Sequence, residues 1–382
     1  MTADFVTHWD YQNQIQNTEA TTAIIVVSVA VIILSLLTFR KNKNRKAFGQ
    51  EDAFLTVETS LMLRGAAILL LLLGHFVLFC VKGAFFFEAA GNWAVMIFLF
   101  ISGVALTKKY GMDNLEKGFF LKRIKRLLPS TWIALIGFYI LDFTLRHKTY
   151  HPTKIVFSFL GFITPAPPNG PDWFITYILF LYLLYYLVSK TRQPNMGRIA
   201  LLFLLSYGTT LLLLTSDFFS RFDIWTNYTI VFPLSVAVGI YRVELKKGLA
   251  AFFEKARAIY LLTLSSFLYL FCSGSYRAFH LITSLKHKQL LLAPYSAVFI
   301  SALLMITYLA DTVGMSSMFL MWLGEYSFEI FLIHSPFMIN YDFLLFHKPL
   351  YLFSFLYLFL IFTLSYALRK TTTSLTDMFL KQ

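Results

Sequence analysis

The chain has 382 residues, of which 58% are hydrophobic, 18% are aromatic and only 14% are charged. Soluble domains are about a quarter charged, and a soluble globule of this size cannot bury 42 Phe and 21 Tyr side chains. The composition therefore indicates a membrane protein and excludes a soluble catalytic domain. Two cysteines, Cys80 and Cys272, cannot supply a disulfide framework or a four-ligand zinc site, so no metal is expected.

Eleven apolar stretches have about the length that crosses a hydrocarbon core, which is roughly 20 residues. In chain order they lie at 22–39, 61–81, 92–107, 130–145, 172–189, 198–215, 227–243, 258–274, 289–310, 318–338 and 350–368. The predicted fold is therefore an all-α, polytopic membrane helix bundle with about 11 transmembrane helices.

The basic residues predict how these spans are oriented. No Lys or Arg precedes Arg40, and a basic block follows the first span, so we expect the N-terminus outside and this block inside. Threading eleven spans from that start places 24 of the 33 Lys and Arg residues inside, together with the C-terminus. Basic loops beside anionic head groups explain the net charge of +13 without a nucleic-acid partner.

Two predicted outer segments interrupt the pattern of spans. Residues 146–171 contain an apolar piece from Ile155 to Ile163 that is too short to cross, so a half-helix or interfacial segment is expected before a proline-rich run. The second segment, from Ser273 to Lys288, is polar and basic and predicts an outer loop.

Ionisable residues within the second span are the first candidates for function, because a charge at membrane depth is costly. Arg64 and His75 are eleven residues apart, so on a helix they share one face and lie about 16 Å apart along its axis. Two structural alternatives stay open. Arg64 can reach the head groups of the inner leaflet, and His75 can be a neutral imidazole bonded to a neighbouring helix.

Two further groups of polar residues invite a functional interpretation. Arg123 and Arg126 are neighbours if this segment is helical and suit bidentate phosphate binding, but on charge alone an inner-leaflet anchor explains them better. Pro129, which follows them, suits the first turn of a helix. The tenth span carries Ser327, Glu329 and His334, which can serve a site or simply bond one helix to another.

Taken in order, these residues resemble the acyltransferase-3 family of integral membrane acyltransferases over roughly residues 58–370. The motifs that carry the resemblance are Arg64-Gly65, Gly74-His75-Phe76, Phe98-Leu99-Phe100-Ile101-Ser102-Gly103, Arg123 and Arg126 ahead of Leu127-Leu128-Pro129, Asp172-Trp173-Phe174, and Leu-Gly-x-x-Ser-x-x-Ile-x-Leu-Ile-His ending at His334.

The resemblance implies a ten-helix core that moves an acyl group, usually acetyl from cytoplasmic acetyl-CoA, to a hydroxyl of a surface or exported glycan. The first span would then be an additional helix. We therefore predict an N-terminal part at 1–57 with this helix and a basic cytoplasmic linker, a membrane acyltransferase core at 58–370, and a cytoplasmic tail at 371–382.

The resemblance also implies roles for individual residues. His75 matches the histidine thought to be the general base. Arg64 matches the arginine of the same motif and is expected to serve catalysis and to meet the acyl-CoA donor near the entrance. Arg123 and Arg126 match an arginine pair implicated in coenzyme A recognition. The other expected members of the substrate cavity are Ser102, Trp173, Glu329 and His334, of which His334 can orient the acceptor, relay a proton or simply pack.

These roles define the expected partners and location. The partners are an acyl-CoA donor, a glycan or lipid-linked saccharide acceptor and membrane lipids; no permanently bound cofactor is expected, and the oligomeric state is open. The expected location is the cell membrane. A transporter or flippase without covalent chemistry is the main alternative, because many spans and buried polar residues are equally typical of transporters. A structural subunit of a glycan-export complex is a third reading.

Overall fold

The computed structural model describes residues 17–41, 54–81, 89–113, 115, 118–161, 172–214, 225–269 and 288–380. The described part is almost entirely helical. Its first elements are α1 Asn17–Leu37, β1 Phe39–Lys41, α2 Val57–Cys80, α3 Ala90–Tyr110, α4 Phe119–Leu145, α5 Pro152–Phe159, α6 Asp172–Ser189 and α7 Asn195–Leu214. The remaining elements are α8 Val231–Ile240, α9 Arg242–Lys255, α10 Arg257–Tyr269, α11 Lys288–Val313, β2 Met315–Ser317, α12 Met318–Glu325, α13 Ser327–Ile339 and α14 Leu350–Leu380.

The architecture is that of an all-α, multi-pass membrane bundle. Within the described residues, six helices are long and apolar enough to cross a membrane, namely α1, α2, α3, α4, α11 and α14. A seventh crossing is possible if Trp225–Ile240 and α9 form one span bent by 83°. Each of the eleven predicted stretches overlaps a helix, but the number eleven itself stays a prediction.

Three local expectations from the sequence are wrong or incomplete. The tenth stretch is not one helix, because it is broken at Tyr326 between α12 and α13. Pro129 does not open a helix, because α4 begins at Phe119 and Pro129 lies inside it. Finally, α14 is longer than the apolar stretch predicted at 350–368 and continues to Leu380.

The predicted short outer piece is present as the eight-residue helix α5. Its proline at the first turn and the His151 side chain, which accepts from the Thr153 amide, are ordinary start signals. The proline-rich run that follows lies outside the described residues. So do Cys272 and most of the second predicted outer loop, whereas Cys80 is buried at the end of α2.

Helix α2 is central and packs against α3, α12 and α13. Two glycines permit its contact with α12, because a Cβ atom at Gly65 would overlap the carbonyl oxygen of Leu320 and one at Gly324 would overlap that of Leu61. The two backbones are therefore in direct contact, as at other small-residue crossings in membranes. This crossing fixes the position of Arg64, which is next to Gly65.

The start of α2 is fixed by a buried carboxylate on α11. Asp311 accepts hydrogen bonds from the amide of Leu55 (2.8 Å), the hydroxyl of Thr56 (3.0 Å) and the hydroxyl of Thr59 (2.6 Å). These bonds satisfy donors at a helix N-terminus that would otherwise have no partner. They hold the Arg64 end of α2 against α11.

A short antiparallel pair of strands joins the end of α1 to the start of α12, with Phe39 opposite Ser317 and Arg40 opposite Ser316. The Thr38 and Ser317 hydroxyls lie 3.0 Å apart and strengthen the same junction. The pairing fixes α1 to the rest of the bundle, although α1 has few buried side chains of its own.

Candidate active site

Two histidines meet at the centre of the bundle, although 259 positions separate them in the sequence. The Nδ1 atom of His75 on α2 lies 2.7 Å from the Nε2 atom of His334 on α13, and the rings are nearly parallel at 14°. We call these two residues the histidine pair. The sequence proposed both residues as site members, but it gave no indication that they touch.

The hydrogen-bond partners of His334 assign the tautomers of the pair. Its Nδ1 atom lies 2.8 Å from the carbonyl oxygen of Phe331 and 3.2 Å from that of Ile330. Because carbonyl oxygens only accept, this Nδ1 carries a hydrogen, and Nε2 of a neutral His334 is an acceptor. The Nδ1 atom of His75 is then the donor, which leaves Nε2 of a neutral His75 without a proton.

A residue of helix α14 holds the backbone of His334 in place. The Tyr357 hydroxyl donates to the carbonyl oxygen of His334 over 2.9 Å. His334 is therefore a positioning residue. Its ring orients the ring of His75, and the Tyr357 hydroxyl holds its backbone in place.

A glycine faces the unprotonated nitrogen of His75. A Cβ atom built on Gly91, at the start of α3, would lie 3.7 Å from Nε2 and 3.6 Å from Cδ2 of His75, and no other group among the described residues would lie within 4 Å of it. Because glycine has no Cβ atom, this position beside Nε2 of His75 is left free. Gly74 permits the arrangement, because any side chain there would overlap the backbone of Gly91.

A cavity of about 430 Å³ lies at the Arg64 end of the bundle. Of the eight site residues that the sequence proposed, five line it: Arg64, Ser102, Arg123, Arg126 and Glu329. Five basic side chains line it against two acidic ones; they are Arg64, Lys109, Arg123, Arg126 and Arg369, with Glu325 and Glu329. We call it the basic cavity, and its excess positive charge suits an anionic ligand.

Arg123 is fixed inside the basic cavity by aromatic rings. Its guanidinium lies 5.2 Å from the ring centre of Phe119, 5.5 Å from Tyr182 and 5.6 Å from Tyr110, all within cation–π range. The Tyr182 hydroxyl also lies 2.7 Å from Oγ of Ser102. Ser102 therefore supports Tyr182, a lining residue that the sequence analysis missed because no polar pattern marks it.

Glu329 is a buried carboxylate on the wall of the basic cavity. Its side chain is 8% exposed, and its Oε1 atom accepts from Ser130 over 3.3 Å. Within the described residues Oε2 has no hydrogen-bond partner, and the nearest cation is Nη1 of Arg369 at 3.9 Å. Arg369 directly follows the last predicted stretch, at 350–368.

The histidine pair does not line the basic cavity. Among the described residues, the lining includes neither His75 nor His334. Aromatic rings lie at the boundary, since Phe331 lines the cavity and lies 6.0 Å from the His334 ring, and Phe174 lies 5.2 Å from Phe331. Arg64 and His75 lie on the same helix, α2, but of the two only Arg64 lines the basic cavity.

Trp173 likewise lies outside the basic cavity, among aromatic residues on the His75 side. Its indole stacks on Tyr228 at 5.8 Å and 13°, and the Tyr228 hydroxyl donates to the side-chain oxygen of Asn92. Asn92 follows Gly91 in the first turn of α3. Trp173 also packs edge-on against Phe174 at 5.8 Å, and Phe174 lines the basic cavity. Trp173 therefore lies between the start of α3 and the basic cavity.

Comparison with known proteins identifies the class of protein. A family model described as an acyltransferase domain matches residues 62–370. Because this match covers most of the chain, the protein belongs to the acyltransferase-3 family, as the sequence motifs predicted, and is a membrane acyltransferase. No curated protein and no solved structure matches the chain significantly. The match includes the histidine pair and all residues of the basic cavity except those of α14 after residue 370, and it excludes α1.

Proposed function

We propose that this protein transfers an acetyl group from cytoplasmic acetyl-CoA to a hydroxyl of a cell-surface or exported polysaccharide. The observation that carries the proposal is the histidine pair, whose partners leave Nε2 of His75 unprotonated, with Gly91, which has no side chain, beside it. In this proposal the protein resides in the cell membrane with eleven spans. Its N-terminus is outside, and the Arg64 end of the bundle faces the cytoplasm.

The basic cavity is then the binding site of the donor. The phosphates of coenzyme A are anionic, so they remain beside Arg126, which is exposed at the cavity mouth, while Arg123 and Arg64 lie further in. The narrow pantetheine arm extends towards Phe331 and Phe174. These rings must turn aside for the thioester to reach the histidine pair.

His75 acts as the general base in the transfer step. Its Nε2 atom takes the proton of the acceptor hydroxyl while the hydroxyl oxygen bonds to the thioester carbonyl carbon. The C–S bond then breaks, and the proton passes from His75 to the departing sulfur, which gives an ester and free coenzyme A. The hydrogen bond from Nδ1 to His334 is kept throughout and stabilises the charged imidazole.

The direct test uses purified full-length protein with radiolabelled acetyl-CoA and candidate acceptors, either glycans or lipid-linked saccharides. An acyltransferase yields a labelled ester with each turnover. A transporter or flippase, or a structural subunit of an export complex, would leave the label on coenzyme A, and that result would overturn the proposal.

We expect Arg126→Ala to raise KM for the donor about tenfold with little change in kcat, because a charge-assisted hydrogen bond contributes about 1.5 kcal/mol or more. The matched control is Lys125→Ala, which removes a positive charge from the next residue, outside the cavity lining. Steady-state kinetics with varied acetyl-CoA measures both variants. Equal KM values would show that Arg126 does not bind the donor.

We expect Gly91→Ala to fold normally and to lower kcat about tenfold or more. Its methyl group would lie at ordinary contact distance, 3.7 Å from Nε2 of His75, in the space where the acceptor hydroxyl must come within about 3 Å. Gly208→Ala is the control, because nothing lies within 4 Å of a Cβ atom there. Full activity of Gly91→Ala at an unchanged donor KM would place the acceptor elsewhere.

A further inference from the structure

A second cavity, of about 420 Å³, lies between α1, α2 and α14. Of the eighteen described residues that line it, three carry a hydroxyl, none is charged and most are aliphatic. We call it the apolar cavity. It is separate from the basic cavity, and the two share no lining residue.

The position of the apolar cavity indicates what fills it. The three helices that form most of its wall are each long and apolar enough to cross a membrane. On the outward side of α1, Ile25, Val29 and Ile33 are about half exposed, as expected for a face in contact with lipid. Water is a poor occupant, because an ordered water molecule needs two or more polar partners. A hydrocarbon chain from the bilayer suits such a wall.

One hydroxyl in the wall has no partner within the protein. Ser354 lines the apolar cavity and is 9% exposed, and its Oγ atom has no hydrogen-bond partner among the described residues. It lies in the second turn of α14, near the end at which Lys348 pairs with Glu19 over 2.6 Å. In a bound lipid, the ester group lies between the apolar chain and the charged head group. The site has the same order: the apolar wall, then the Ser354 hydroxyl, then the charged pair of Lys348 and Glu19.

We propose that the apolar cavity binds one acyl chain of an ester-linked membrane lipid, whose ester carbonyl accepts a hydrogen bond from Ser354. Six residues of α1 contribute to the wall: Ala23, Ile24, Val27, Ser28, Val31 and Ile32. Because α1 lies outside the family match, this lipid site is a feature that α1 adds to the acyltransferase domain. The lipid is neither donor nor acceptor of the acyl group.

The apolar cavity is also lined by residues next to the histidine pair. Tyr357 lines the apolar cavity and donates to the carbonyl oxygen of His334, and Phe76 lines it directly after His75. A bound chain therefore packs against the residues that position both histidines. Loss of the lipid should lower kcat and leave KM for the donor unchanged, since the basic cavity is separate.

The test measures lipid retention by the full-length protein. Protein reconstituted with a single diacyl phospholipid is extracted in mild detergent and weighed by native mass spectrometry. We expect one retained lipid per wild-type chain, about fivefold less occupancy in Ser354→Ala, which loses one hydrogen bond, and a larger loss in Val27→Phe, whose ring projects into the cavity and blocks the path of the chain. Val29→Phe is the matched control, because residue 29 is 48% exposed on the outward side of α1.

The outcomes are decisive in both directions. Wild-type protein without retained lipid, or equal retention by Val27→Phe and Val29→Phe, would overturn the proposal. If Val27→Phe does not fold, Ser354→Ala decides the matter, because its smaller side chain fits the same space and unchanged retention would refute the ester contact. Retention is measured without turnover, so the result is independent of the proposed acetyl transfer.

Discussion

We expect His75→Ala to lower the rate of acyl transfer by about 10² to 10⁴, the usual contribution of a general base, while the protein still inserts and binds the donor. The variant loses Nε2 of His75. When both rings are neutral, this is the nitrogen of the pair that carries no proton and has no hydrogen-bond partner among the described residues. Ester formation by purified variant and wild type, at saturating acetyl-CoA, measures the effect.

Two comparisons make this result specific. His347→Ala removes an exposed histidine that is not part of the pair and should be fully active. The wild-type rate should rise with pH as the pair loses its extra proton, whereas the residual rate of His75→Ala should lack this dependence. Normal activity of His75→Ala would remove the base assignment.

We expect Gly324→Ala to prevent correct packing of α2 against α12, although it adds a single methyl group. The new Cβ atom would overlap the carbonyl oxygen of Leu61, which belongs to the backbone and cannot turn aside. Overpacking of a close-packed interior costs about 1–3 kcal/mol or more. The measurable result is a lower thermal midpoint in size-exclusion assays and a higher donor KM, because Gly324 also lines the basic cavity.

The matched control is the same substitution at a position with free space. Gly137→Ala lies inside α4, and nothing lies within 4 Å of its new Cβ atom. There the methyl group should stabilise the helix by about 0.5–1 kcal/mol. Tolerance of Gly324→Ala would contradict the backbone contact between α2 and α12, and destabilisation by Gly137→Ala would contradict the free space at the control position.

Much of the local structure was predictable from hydropathy. Every predicted apolar stretch overlaps a helix, and the piece that was too short to cross forms α5. The break at Tyr326 was not predicted, because the stretch is apolar overall and no proline stands at the break, although Gly324, Glu325 and Ser327 flank it. Pro129 was misleading for a different reason. A proline suits the first turn of a helix, but the basic residues ahead of it already form the start of α4.

The candidate site was predictable as a set of residues but not as an arrangement. Motif order selected Arg64, Arg123 and Arg126, and all three line one cavity. It also selected His75 and His334, and these two bond to one another instead of opening onto that cavity. Their roles in catalysis and donor binding stay predictions that the variants above test.

The sequence by itself determined that the chain is a membrane protein of the acyltransferase-3 family, since hydropathy and motif order are properties of consecutive residues. Only the tertiary structure decided that His334 fixes the tautomer of His75, that aromatic rings separate the pair from the basic cavity, and that α1 completes an apolar cavity. The reason is physical. Helical periodicity tells which residues share a face, but the packing of separate helices decides which faces meet.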